Sequence, residues 1–156
     1  MVCAIIICRS TSSRLPNKHL LKFGNKSLLE IIINQLKNIK IISNIVISTG
    51  EKNKNFHYEK YLKSKGFNIK FNYSNDENNV TKRIYECTKK INQKFTLLIS
   101  GDCPIVDKKI INQFYKSISK SNYSFVDFNK KNIVEGISIF KTLSWKKVHD
   151  LSYKDY

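Results

Sequence analysis

The stretch Val2–Cys8, VCAIIIC, followed at once by Arg9–Lys18, RSTSSRLPNK, decides the fold of this chain. The first seven residues are an uninterrupted apolar run, rich in β-branched side chains. Such a run is typical of a strand that is buried on both faces, as in a parallel sheet. The next segment carries three cations and four hydroxyls, so it predicts a polar loop at the carboxyl end of that strand.

Strand and helix patterns alternate along the rest of the chain. Further strands are predicted at 44–49, 67–73, 95–100, 123–128 and 133–140. A helix is predicted from Ser27, the N-cap of a capping box with Glu30, to residue 39. Other helices are predicted at 56–65, 76–91, 107–119 and 142–151. This order predicts an α/β fold, a three-layer sandwich with a mostly parallel sheet.

Length and composition exclude several classes of protein. The chain of 156 residues fits one domain, which we expect to span 1–156, and 41% hydrophobic residues are too many for a disordered protein. The sequence has neither an apolar run of about 18–20 residues, as a membrane span needs, nor the pattern of a signal peptide. We therefore expect a cytoplasmic protein without a membrane partner.

Four cysteines, Cys3, Cys8, Cys87 and Cys103, form no CxxC pair. Without a secretion signal they are predicted to be reduced thiols that pack as small apolar residues, rather than zinc ligands or disulfides.

The formal net charge of +16 raises the question of a nucleic-acid partner. Only three of the 28 basic residues are Arg, however, and Lys is scattered over every segment. A nucleic-acid-binding protein more often clusters its charge and uses the planar fork of Arg. We therefore expect no nucleic-acid partner, and a basic RNA-binding protein remains the less favoured alternative.

Two polar segments follow the two most apolar strands. The loop 9–18 contains Arg9, Arg14 and Lys18, and Arg grips phosphate groups through two parallel hydrogen bonds. Asp102 follows the strand 95–100 and could hold Mg²⁺ or could be a turn residue before the helix at 107. Ligands of such folds bind beyond the carboxyl ends of the strands, so both segments are predicted to open onto one cleft.

Five segments in order resemble one family. Cys8–Lys18 resembles the ARxGSSRLPGK signature of cytidylyltransferases of the spore-coat polysaccharide biosynthesis protein F type, which are relatives of the acylneuraminate and KDO cytidylyltransferases. Residues 25–30 (NKSLLE) resemble that family's GKPLLE, and 80–85 (VTKRIY) resemble its VLDRFY. Residues 101–107 (GDCPIVD) resemble GDCPLID, and 136–140 (GISIF) resemble GVEIF.

The resemblance implies a GT-A-like nucleotide-diphospho-sugar transferase fold and a function in surface polysaccharide biosynthesis. A cytidylyl group would pass from CTP to a sugar, a keto-sugar acid by analogy, giving a CMP-sugar and pyrophosphate with Mg²⁺ as cofactor. The implied catalytic residues are Arg9, Arg14, Lys18 and Asp102, with Asp102 as the metal ligand. The implied nucleotide-binding residues are Cys8, Arg9, Ser12, Ser13, Arg14, Lys18 and Arg83, and Thr49 is added because it ends the second strand.

The sequence also departs from the family pattern. Thr11 and Asn17 stand where the signature has Gly, Leu98 where an Arg usually precedes the GDCP turn, and Ser138 where GVEIF has Glu. Family members run well beyond residue 156, so the chain resembles a short member. A paralogue that binds nucleotide without catalysis therefore stays open, as does a homodimer. Asp102 is followed by Cys103 and Pro104, so the Asp-x-Asp motif of GT-A glycosyltransferases is absent there.

Overall fold

The computed structural model describes residues 1–127 and 136–152. Strands of the described residues are β1 (Val2–Ile7), β2 (Lys22–Phe23), β3 (Lys26–Ser27), β4 (Ile42–Thr49), β5 (Lys70–Tyr73), β6 (Phe95–Ser100), β7 (Phe125–Asp127) and β8 (Ile137–Lys141). The α-helices there are α1 (Leu28–Lys37), α2 (Lys52–Ser64), α3 (Val80–Thr88), α4 (Lys108–Lys120) and α5 (Trp145–Leu151).

One six-stranded sheet has the order β5-β4-β1-β6-β8-β7. Strands β5, β4, β1 and β6 are parallel, and β8 and β7 each pair antiparallel to their neighbour. Ile7, the last residue of β1, pairs with Ser48 on one side and Ser100 on the other. The carboxyl ends of the three central strands therefore lie level at one edge of the sheet.

Helices cover both faces of this sheet. The side chains of Val2, Ala4 and Ile6 pack in one cluster with α1, α2 and α4. Ile5 points to the opposite face and packs with Ile84 of α3. These two clusters confirm the predicted three-layer α/β sandwich with a mostly parallel sheet, because alternate side chains of the central strand are buried on both faces.

Two local predictions are confirmed in detail. Ser27 caps α1: its hydroxyl accepts a hydrogen bond from the Glu30 N–H at 3.3 Å, and its own N–H donates to Glu30 Oε2 at 2.7 Å. Cys3, Cys8, Cys87 and Cys103 are free and buried thiols, as expected. Burial raises the pKa of the Cys8 thiol to about 12, so it stays protonated and unreactive.

Several predicted boundaries are wrong. Helix α3 begins at Val80 instead of residue 76, because the Asn79 side chain caps it and Asp76 accepts a hydrogen bond from the Asn79 N–H at 3.2 Å, which closes a turn. Val80, the first residue of α3, is 43% exposed. Helix α2 begins four residues earlier than predicted, at Lys52, and the hairpin of β2 and β3 was not predicted.

Two predicted strands fall partly outside the described residues. The described parts of 123–128 and 133–140 contain β7 and β8. Among the helices that the structure describes, none combines the length and the apolar character needed to cross a membrane.

Candidate functional site

The two polar segments meet at the carboxyl edge of the sheet, as the sequence predicts. The Gly101 N–H donates a hydrogen bond to the Ile7 carbonyl at 2.7 Å, which ties the turn after β6 to the end of β1. Lys18 lies in a short 3-10 segment, Lys18–Leu20, and its ammonium donates to the Asp102 carboxylate. A cation from one turn and an anion from the other therefore face each other across the end of the central strands.

Asp102 is held ionised by its neighbours. Burial opposes ionisation of this carboxyl, but hydrogen bonds from Lys18 and from the Ser100 hydroxyl outweigh it and bring the pKa of Asp102 to about 2. The Asp102 side chain is still 46% exposed. The residue that caps the following helix is Asp107, which accepts from the Lys109 N–H at 2.6 Å. Asp102 is thus free to face the cleft instead of serving as a helix cap.

A buried histidine lies under this contact. His19 is 3% exposed, and its Nδ1 lies 3.2 Å from the Tyr58 hydroxyl, which donates to the Arg9 carbonyl at 3.4 Å. Burial and the neighbouring Lys18 lower the pKa of His19 to about 4, so the ring is neutral at pH 7. A Cβ on Gly101 would lie 2.9 Å from the ring, so the glycine is required for space.

The first part of the loop after β1 is anchored from two sides. Arg9 Nη1 donates to Asn78 Oδ1 at 2.6 Å and to the Glu77 carbonyl at 3.4 Å. The Ser10 N–H donates to Asn55 Oδ1 at 2.8 Å, and its hydroxyl donates to a backbone carbonyl of α2 at 2.8 Å. Arg9 therefore faces the turn before α3 rather than Asp102.

The next part of the loop is an exposed arc. The Asn17 N–H donates to the Ser10 carbonyl at 3.0 Å and closes residues 11–16 into a bulge, with Asn17 at φ 56° in the left-handed region. Asn tolerates that region, which explains why Asn can stand here in place of glycine. Ser13 and Arg14 are exposed, Ser12 is half-buried, and none of the three side chains hydrogen-bonds to another described residue.

A buried cation lies below the other side of the cleft. Arg83 of α3 is 2% exposed, and its Nη1 donates to the Cys8 carbonyl at 3.4 Å. Its Nε has no hydrogen-bond partner among the described residues, and neither has the Thr49 Oγ1, which is fully buried at the end of β4. The Cys8 thiol points into the core, so only the Cys8 backbone faces this region. Buried donors without partners cost stability unless a ligand or a water molecule pairs with them.

A cavity of about 320 Å³ lies beside β6 and β8, and its lining residue Ser100 donates a hydrogen bond to Asp102. Its lining mixes apolar side chains with two hydroxyls and one carboxylate: Ile7, Val80, Leu98, Ser100, Asp127, Gly136, Ile137 and Ser138. The two departures Leu98 and Ser138 pair with each other across β6 and β8 and line this same cavity. The exposure of Val80 follows from its position at the rim of this cavity.

The donor set for a metal ion is small. In residues 1–127 and 136–152, no three His, Cys, Asp or Glu side chains are grouped as a metal-binding cluster. Mg²⁺ is usually held by one or two carboxylates together with substrate phosphates and water, and it does not require a protein cage. A single ionised carboxylate at the cleft edge fits that pattern, so Asp102 suits Mg²⁺ only together with a phosphate ligand.

Sequence reasoning missed the residues that hold the site residues in place. Glu77 and Asn78 hold the loop start, while His19, Tyr58 and Ser100 support Lys18 and Asp102. The scarcity of acidic residues, 12 in the chain, was the only signal that could have singled out Glu77. The others are ordinary polar residues whose neighbours come from distant parts of the sequence.

The chain is similar to several known proteins. An uncharacterized protein of Methanocaldococcus jannaschii is 31% identical over 137 residues, which cover 88% of this chain and 54% of that protein. The solved structure of a cytidylyltransferase from Leptospira borgpetersenii is similar with a TM-score of 0.83 and 25% identity, covering 96% of this chain and 64% of that one. The chain thus spans between half and two thirds of these relatives.

A second solved structure shows the same fold at low identity. CMP:2-keto-3-deoxy-manno-octonic acid synthetase, solved in complex with CTP, is similar with a TM-score of 0.76 and 14% identity, covering 96% of this chain and 78% of that one. The sequence model of the Cytidylyltransferase family matches residues 3–156. With the fold, the two facing turns and this match together, the chain belongs to the Cytidylyltransferase family.

Proposed function

We propose that this chain forms one nucleotidyltransferase domain, of the spore-coat polysaccharide type, that binds CTP. It transfers the cytidylyl group to a sugar, a keto-sugar acid by analogy, in the cytoplasm and for surface polysaccharide biosynthesis. A sugar hydroxyl attacks the α-phosphorus, the new P–O bond replaces the bond to the β-phosphate, and pyrophosphate leaves. The products are a CMP-sugar and pyrophosphate.

The observation that carries this proposal is the contact between Lys18 and Asp102. The two residues come from turns that end the neighbouring parallel strands β1 and β6, and they meet where such sheets bind ligands. Lys18 donates to phosphate oxygens and offsets the charge that develops on the leaving pyrophosphate. Without a ligand, Asp102 neutralises the Lys18 charge, so the ammonium is kept in place for the phosphates.

Asp102 is the residue that would hold Mg²⁺. When bound, the metal ion would offset phosphate charge and fix the orientation of the triphosphate. Both oxygens of Asp102 now accept hydrogen bonds, from Lys18 and from Ser100. Binding therefore requires the Lys18 ammonium to move from the carboxylate to a phosphate oxygen, a short exchange between two anionic partners.

The exposed arc supplies the remaining phosphate contacts. Arg14 has a free guanidinium fork, and the hydroxyls of Ser12 and Ser13 are available as donors beside it. On the other side, the unpaired donors of Thr49 and Arg83, with the backbone of Cys8, suit the polar edge of the cytosine base. Arg9 joins the triphosphate by leaving its present acceptors Asn78 and Glu77.

The cavity lined by Leu98 and Ser138 takes the acceptor sugar. Its lining residue Ser100 donates a hydrogen bond to Asp102, and the hydroxyls of Ser100 and Ser138 can hydrogen-bond to a polyol. In-line displacement at the α-phosphorus requires the attacking sugar hydroxyl to lie opposite the leaving pyrophosphate, so the β- and γ-phosphates would have to point away from this cavity.

A second candidate function is nucleotide binding without catalysis. Leu98 and Ser138 stand where the family pattern has two charged side chains, and both line the same cavity. This favours a loss of sugar binding alone. The nucleotide half retains Arg14, Lys18 and Asp102. The two candidates therefore agree on CTP binding and differ only in turnover.

Binding is tested first. A thermal shift series with CTP, UTP, ATP and GTP, each with Mg²⁺, is expected to give the largest rise in Tm with CTP, because a ligand that binds only the folded state stabilises it. Lys18→Met should abolish the rise, while the exposed Lys22→Met, which removes the same charge four residues away, should keep it. An equal rise with all four nucleotides would contradict the choice of CTP.

Turnover is tested by pyrophosphate release from CTP with keto-sugar acids and neutral sugars. Release that depends on Asp102 and is lost in Asp102→Asn supports the transferase, and Asp150→Asn is the matched exposed control. CTP binding without release supports the non-catalytic candidate. Oligonucleotide binding with a steep salt dependence, unaffected by Lys18→Met, would instead favour the RNA-binding alternative.

A further inference from the structure

The turn between β5 and α3 carries a carboxylate, Glu77, that no step of the proposed reaction uses. We infer that Glu77 is a positioning residue, which fixes the start of the loop after β1 by binding the hydroxyl of Thr11. The expected effect of Glu77 on nucleotide affinity rests on the proposed function. The expected effect of Glu77 on the order of the loop is independent of that function.

The contact joins two distant parts of the chain. Thr11 Oγ1 donates to Glu77 Oε1 across 66 residues of sequence. The second carboxylate oxygen, Oε2, lies 3.8 Å from Lys54 Nζ, and the Glu77 side chain is only 10% exposed. A carboxylate that is largely removed from water needs such donors, because an unpaired buried charge is costly. Thr11 and Lys54 are the partners that keep Glu77 in this place.

The space for this side chain is provided by a glycine. A Cβ built on Gly50, the residue after β4, would lie 2.6 Å from Glu77 Cγ and 2.9 Å from its Oε1. Gly50 has no positive φ, so the absence of a side chain, and not backbone freedom, is what the position requires. The Glu77 carboxylate therefore occupies a notch at the end of β4, directly beside the loop.

The contact fixes one end of the exposed arc 11–16. Lys18, just beyond the other end, is held by Asp102, and the Asn17 N–H closes the arc on the Ser10 carbonyl. Between these ends lie Ser12, Ser13 and Arg14, the proposed hydrogen-bond donors to phosphate. Their side chains have no hydrogen-bond partner among the described residues. Thr11 stands where the family signature has glycine, and its side chain adds a fixed point that a glycine does not offer.

A loop that is ordered before binding loses less conformational entropy on binding, so its ligand binds more tightly. A carboxylate near the triphosphate has the opposite electrostatic effect, because it repels the phosphates. Removing the charge of Glu77 therefore distinguishes the two roles, because it changes the affinity for CTP in opposite directions. Loss of a positioning residue weakens CTP binding, whereas loss of a charge that merely lies nearby strengthens it.

The experiment compares Thr11→Val and Glu77→Gln with the wild-type chain. Each variant should weaken CTP binding about tenfold, the usual size for a hydrogen bond to a charged group. The double variant should be no weaker than Thr11→Val alone, because both substitutions act on the same contact: Thr11→Val removes the donor, and Glu77→Gln leaves only a weaker, neutral amide oxygen as acceptor. Thr11→Ser, which keeps the hydroxyl, should restore wild-type affinity. Glu59→Gln is the matched control, since Glu59 also accepts a hydrogen bond from a hydroxyl, that of Tyr73 of β5, at 2.7 Å.

Hydrogen exchange of the free protein supplies the readout that does not depend on nucleotide. The amides of Ser10 and Asn17, which are hydrogen-bonded at the two ends of the arc, should exchange faster in Thr11→Val and Glu77→Gln than in the wild type or in Glu59→Gln, with global Tm measured beside them. Unchanged exchange at these two amides, or tighter CTP binding by Glu77→Gln, would overturn the inference. If the wild type binds no CTP, the proposed function fails, and the exchange rates alone still decide the role of Glu77.

Discussion

The floor of the cleft, His19, Arg83 and Gly101, differs sharply from its rim, the arc 11–16 with Asp102. The floor is buried and closely packed, with a glycine that a methyl group would displace and a histidine with lowered pKa. The rim is exposed, and its Arg14 and Ser13 contact no described residue by hydrogen bond. The difference teaches that burial divides the site: the floor supports the fold, and under the proposed function the rim provides the contacts to the phosphates.

The largest expected effect concerns the floor and pH. The pKa of His19 is lowered from 6.5 to about 4 in the folded chain, so the unfolded chain binds an extra proton between these values. Its stabilising contribution is complete above pH 6.5 and is lost as the pH falls towards 4, by up to about 3 kcal/mol. Urea unfolding of the wild type and of His19→Gln across this range measures the difference. An identical pH slope for both proteins would contradict a neutral buried His19.

The next effect concerns the rim. Arg14→Ala should weaken CTP binding by about 2–3 kcal/mol, because charge-assisted hydrogen bonds to phosphate are lost, and it should leave the free energy of unfolding unchanged. Arg14→Lys keeps the charge without the planar fork, so its affinity for CTP is expected to lie between those of the wild type and Arg14→Ala. Titration calorimetry and urea unfolding give the two quantities. Lower stability in Arg14→Ala would show that the rim also supports the fold.

A smaller effect on stability is expected from a substitution in the floor. Gly101→Ala should lower the free energy of unfolding by about 2 kcal/mol, because overpacking forces the backbone apart. The added Cβ would lie 2.7 Å from the Ile7 carbonyl and 2.9 Å from His19. Gly24→Ala serves as the control, since Gly24 has φ 64° with open space around it and should cost only the strain of that region, about 1 kcal/mol. An equal or smaller loss in Gly101→Ala would contradict the close packing of the floor.

The smallest effect lies outside the cleft and tests whether stability alone alters binding. Ser27→Ala removes the capping box of α1 and should lower the free energy of unfolding by about 1 kcal/mol. CTP affinity should stay unchanged at temperatures well below the Tm. A parallel loss of affinity would mean that the effects of floor variants on binding reflect general loosening of the fold.

Much of the fold follows from local pattern. The β-branched run of β1, the capping box at Ser27 and the alternation of strands and helices predict the layers and the mostly parallel sheet, because buried faces impose periodicity on sequence. Boundaries were less predictable. The start of α3 depends on the side chains of Asn79 and Asp76, which compete with helix for the same backbone groups.

In the candidate site, too, some features follow from the sequence and others depend on the tertiary structure. By itself the sequence determined that Arg14, Lys18 and Asp102 follow buried strands, and parallel strands place such residues at one edge of a sheet. Only the tertiary structure decided that Arg9 faces Asn78, that Arg83 is buried under Cys8, and that Glu77 holds Thr11. These contacts join residues 66 to 75 positions apart, and their partners depend on how strand ends and helix starts are packed, which local residue patterns do not encode.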